Sequence, residues 1–132
     1  MSPRISTFTL LLAVFLCAGV SFADEYKASK QAGDLEVLMT IDKNPPVVGS
    51  NTVTIALKDG AGKAVTDAAV RLDYGMAAMP GMPAMNYVSD AKLSGESYQA
   101  PLDPSMAGPW FITVKILREK KIETAKFNID VQ

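Results

Sequence analysis

Residues 110–131 read WFITVKILREKKIETAKFNIDV, and their alternation decides the fold class. Trp110, Ile112, Val114 and Ile116 fall on one side of an extended chain, with Phe111, Thr113 and Lys115 on the other. A period of two is the signature of a half-buried strand. Residues 118–121 turn the chain, and Phe127, Ile129 and Val131 then resume the inward side.

The same pattern recurs toward the N-terminus. Leu35, Val37, Met39 and Ile41 share one face, opposite Glu36 and Thr40, until Asn44-Pro45-Pro46 stops the run. Val53, Ile55 and Leu57 form a second strand closed by Asp59-Gly60-Ala61-Gly62, whose glycines permit positive φ. Residues 65–74 read as a third. Residues 87–93 and 97–100 flank Ser94-Gly95-Glu96 as a hairpin. About seven short strands, with no stretch of helical period, predict an all-β, immunoglobulin-like β-sandwich over residues 35–132. Residues 24–34 are polar and aperiodic, and are expected to be a flexible lead-in.

Before them, Arg4 supplies a positive start and residues 10–20 (LLLAVFLCAGV) an apolar run short for a bilayer span. Ser21-Phe22-Ala23 puts small residues where a signal peptidase inspects them, so residues 1–23 are expected to be a signal peptide cleaved after Ala23. Leu16 stands where a lipoprotein signal needs a small residue, so Cys17 is not expected to carry lipid. The destination is then the periplasm or another exported location, with no membrane attachment after cleavage.

Losing Arg4 moves the formal charge from −1 to −2. That balance makes nucleic acid an unexpected partner, and the domain is expected to be a monomer. The cleaved chain holds neither cysteine nor histidine. Disulfides, thiolate nucleophiles, Ser-His triads and His/Cys zinc sites are thereby excluded. Its acids are scattered as on solvated strand faces, and no enzyme is expected.

One segment departs from this plain picture. Residues 76–85 (MAAMPGMPAM) hold four of the seven methionines, Met76, Met79, Met82 and Met85, at intervals of three. Pro80, Gly81 and Pro83 forbid the helix in which that spacing would be a core stripe. A straight polyproline path would set neighbouring methionines about 9 Å apart, too far to share an ion. Pro80-Gly81, however, suit the centre of a type II turn, which brings the Cα atoms of Met79 and Met82 within about 7 Å. Met76 and Met85 flank the turn, and Met106 lies in a later loop that a sandwich gathers at one end.

Thioether sulfur is soft and neutral, so it selects Cu(I) or Ag(I) and binds without losing a proton. The expected site is Cu(I) held by Met79 and Met82, with Met76, Met85 or Met106 as a third ligand. Two other uses compete: an apolar docking surface that needs no ion, and ordinary loop packing. Trp110 is read as a core aromatic rather than a cap over a metal.

The ordered set Pro46-Val47-Val48-Gly49-Ser50-Asn51, Gly62-Lys63-Ala64-Val65 with Asp67-Ala68, Met79-Pro80-Gly81-Met82, Gly95-Glu96-Ser97-Tyr98 and Met106-Ala107-Gly108-Pro109-Trp110 resembles the exported YtkA-like domains. These are similar to the periplasmic part of FixH proteins. The resemblance implies an immunoglobulin-like sandwich in the cell envelope, with Met79, Met82 and Met106 at the matching positions. It also implies an envelope protein partner in oxidase assembly or metal efflux, some relatives being linked to copper supply. FixH proteins are membrane-anchored, whereas this chain is expected to be released.

Overall fold

The computed structural model describes residues 25–132; the expected signal peptide and its cleavage point lie outside them. Nine strands follow in chain order: β1 (Tyr26–Ala32), β2 (Leu35–Ile41), β3 (Asn51–Lys58), β4 (Ala69–Met76), β5 (Met85–Asp90), β6 (Lys92–Ser94), β7 (Ser97–Leu102), β8 (Gly108–Arg118) and β9 (Lys121–Val131). They form two antiparallel sheets, β1-β2-β3-β7-β6 and β5-β4-β8-β9. The β2-β3-β7-β6 and β5-β4-β8-β9 orders reproduce the two faces of an immunoglobulin-like sandwich, with β1 added at one edge.

The alternation seen in sequence becomes the core. Val37, Met39, Ile41, Val53, Ile55 and Leu57 face Leu72, Ile112, Val114, Ile116 and Phe127 across the interior, all of them buried. Each contributes about 1.5–3 kcal/mol by leaving water.

Three expectations are corrected. The lead-in of residues 24–34 contains β1, paired to β2 from Tyr26↔Ile41 to Ala32↔Leu35. Its side chains are mostly exposed, so backbone hydrogen bonds make this edge strand and no apolar alternation marks it. The expected third strand begins at Ala69 rather than at residue 65. The expected strand over residues 87–93 is two strands in different sheets, β5 and β6, because the chain crosses the sandwich near Ala91. The described residues therefore hold nine strands where about seven were expected.

The resemblance blocks prove to be fastenings. The Asn51 amide accepts from the Val47 N–H at 3.1 Å and donates to the Val47, Gly49 and Leu102 carbonyls at 2.7, 3.1 and 3.3 Å. Buried at 2% exposure, it satisfies the loop before β3 from within. The Tyr98 hydroxyl donates to the Val65 carbonyl at 3.2 Å and accepts from the Ala68 N–H at 3.1 Å. Two of the blocks are thus tied to each other. Trp110 donates through Nε1 to the Met106 carbonyl at 2.9 Å, closing the loop that enters β8.

Candidate functional site

The β4–β5 connection is a hairpin whose tip is Pro80-Gly81. Met79 N–H donates to the Met82 carbonyl at 3.0 Å and Met82 N–H to the Met79 carbonyl at 2.9 Å. Gly81 has φ +81°, the positive value that the second central residue of a type II turn requires. The expected turn is therefore present. Residues that exchange both backbone bonds stand directly opposite, with Cβ atoms about 5 Å apart and side chains on one face. Met79 and Met82 consequently share a side of the hairpin.

The flanking pair stands one step further down the same hairpin. Met76 is the partner of Met85 in the β4–β5 ladder, three residues from Met79 and Met82 respectively. Residues 77–78 and 83–84 separate that ladder pair from the isolated Met79↔Met82 bridge and belong to neither. Met76 is 2% exposed and belongs to the core, whereas Met79 is 38% exposed. The hairpin thus converts equal spacing in sequence into unequal burial.

Met85 and Met106 lie on the inner side, half-buried against the core. The Met85 sulfur is 3.9 Å from the Tyr87 hydroxyl and 3.7 Å from the Ser105 hydroxyl, and those hydroxyls are 3.3 Å apart. Tyr87 in turn stacks with Tyr74 and Trp110 at centroid distances of 5.5 and 6.0 Å. Trp110 is 2% exposed and acts as a core aromatic, as its sequence context implied. Met85 seals the end of this aromatic layer.

Gly75 permits the approach. A Cβ at this position would collide with the Met85 carbonyl, so any other residue would push the start of β5 off β4. On the outer face of the β5-β4-β8-β9 sheet, a hollow of about 370 Å³ opens beside the tip. Met76, Met79, Pro109, Phe111, Lys126, Asn128 and Asp130 border it. The Lys126 ammonium lies 4.9 Å from the centre of the Phe111 ring. Sequence reasoning missed this part, although Lys126, Asn128 and Asp130 alternate with the inward residues of β9 and are thereby legible as one exposed row.

Among the described residues, no three His, Cys, Asp or Glu side chains gather as a metal-binding group. Nor is any helix of the described residues long and apolar enough to cross a membrane. The donor set at the tip is thioether, neutral and soft, which fits a monovalent soft cation and fits hard divalent ions poorly.

No curated protein and no solved structure gives a significant match. A family profile described as YtkA-like matches residues 29–115, from within β1 to within β8 and including the whole methionine hairpin.

Proposed function

From the premise that the chain belongs to the YtkA-like family, we propose that it is an exported copper-handling protein, a carrier or buffer rather than an enzyme. Met79 and Met82 supply thioethers to Cu(I). One observation carries this reading: the reciprocal backbone bonds of the turn hold the two methionines on one face of an exposed tip. A turn whose backbone is already fixed loses less backbone freedom on binding than a mobile loop would. Cleavage after Ala23 would release it into an oxidising compartment, where thioethers persist and thiolates are lost to disulfides. The delivery partner would be an envelope component of oxidase assembly or metal efflux. Titrating the purified protein with Cu(I) against a competing chelator tests the reading. Loss of uptake in Met79→Ile with Met82→Ile supports it, and undiminished uptake removes it.

A second reading rests on exposed apolar surface beside the tip. Met79 and Val88 are 38% and 48% exposed, and with the tip would serve as a docking surface for an envelope protein without any ion. The isoleucine variants separate the two, because they keep apolarity while removing sulfur. Partner capture that survives both substitutions and metal removal favours docking.

A further inference from the structure

The hollow beside the tip has an aromatic wall with a cation already on it. Phe111 lies on the outer face of β8, directly across from Asn128 of β9. The Lys126 ammonium, one pleat along, sits 4.9 Å from the ring centre. An aromatic face carries negative quadrupole potential and attracts a cation placed within about 6 Å. Met79 borders the same hollow.

We propose that Phe111 and Lys126 belong to the soft-cation site of Met79 and Met82, the ring face supporting the bound ion and the Lys126 ammonium holding that face when no ion is present. This rests on the reading of Met79 and Met82 as ligands. Two neutral thioethers leave a bound Cu(I) or Ag(I) with its full positive charge. The ring face then gives that charge a partner that needs no deprotonation. Two cations cannot occupy one ring face without mutual repulsion, so uptake of the metal displaces Lys126. Lysine can leave because its charge rides on a flexible four-carbon stem, and its side chain is exposed. Binding becomes an exchange of one positive charge for another. Asp130 and Asn128, on the same outer row, remain beside the hollow throughout. The consequence is a site held below its maximum affinity, from which the ion can be handed on.

The test is a titration of the purified protein with Ag(I), which has the same softness and no redox change, against a competing chelator at fixed ionic strength. Lys126→Gln is expected to bind Ag(I) about two- to five-fold more tightly, and Phe111→Leu about two- to five-fold more weakly. Lys92→Gln, on β6 of the other sheet, is expected to leave affinity unchanged, which separates displacement from a general effect of net charge. In the parent, Ag(I) is expected to shift the Phe111 ring resonances and the Lys126 side-chain resonances together. If the parent takes up Ag(I) while Lys126→Gln keeps parental affinity and the ring resonances stay still, the gate is overturned and the thioether pair stands. Failure of the parent to retain Ag(I) overturns the underlying reading, and the gate with it.

Discussion

Met76 faces Met85 across the β4–β5 ladder, the first buried and the second half-buried, whereas Met79 at the tip is 38% exposed. A segment that looks uniform in sequence is therefore two pairs with different physical duties. The inner pair packs with the core; at the tip, Met79 is exposed and borders the hollow at Phe111, and Met82 is half-buried.

The division predicts opposite mutational profiles. Met76→Ala is expected to lower stability by about 2–5 kcal/mol, as truncation of a buried side chain does. Met76→Leu, close in volume, is expected to cost under about 1.5 kcal/mol and to leave Cu(I) uptake intact. Met79→Leu should change stability by less than about 0.5 kcal/mol while lowering uptake. Chemical denaturation with a parallel Cu(I) titration reads both quantities.

Gly81 at φ +81° makes the tip sensitive to a single methyl group. Nothing lies within 4 Å of the position its Cβ would take, so the effect of Gly81→Ala is conformational rather than steric contact. The substitution is expected to cost about 1 kcal/mol and to weaken Cu(I) binding by loosening the Met79–Met82 pairing. Faster amide exchange at Met79 and Met82 is the check.

The fastenings give predictions independent of any ion. Tyr98→Phe removes the hydroxyl bonded to Val65 and Ala68 and is expected to cost about 1–3 kcal/mol. Asn51→Leu strands the Gly49 and Leu102 carbonyls among others, and a larger loss is expected. Urea unfolding curves measure each, and equal stability to the parent would contradict the assigned bonds.

Exposure orders the methionines by oxidation. Brief treatment with dilute peroxide is expected to convert Met79 to its sulfoxide first, and to reach Met39 and Met76, at 0% and 2% exposure, only on unfolding. Bound Ag(I) is expected to protect Met79 and Met82 selectively. Peptide mass spectrometry gives the order, and early oxidation of Met76 would place it outside the core.

Thioethers have no proton to lose, which separates this site from carboxylate or imidazole chemistry. Cu(I) uptake by the Met79–Met82 pair is expected to be flat between about pH 5 and 8. A competition titration at several pH values checks it; a steep rise with pH would assign the ligands elsewhere.

Sequence by itself determined the sandwich, because strands that bury one face must alternate, and it determined the turn at Pro80-Gly81, because proline presets φ at the first central position and glycine accepts the positive φ at the second. Both are local constraints. β1 was illegible for the complementary reason: an edge strand held by backbone bonds to β2 needs no apolar pattern. The roles of Asn51 and Tyr98 were also hidden, since Asn51 reaches Leu102 and Tyr98 reaches Val65 across long separations in chain. Tertiary structure alone decided which methionines stand together. Spacing by three suggested one group, but the fold buries Met76 in the core and leaves Met79 exposed at the tip, bridged to Met82. It also decided that Phe111 and Lys126 border the tip, because only sheet pairing carries β8 and β9 to that end of the molecule.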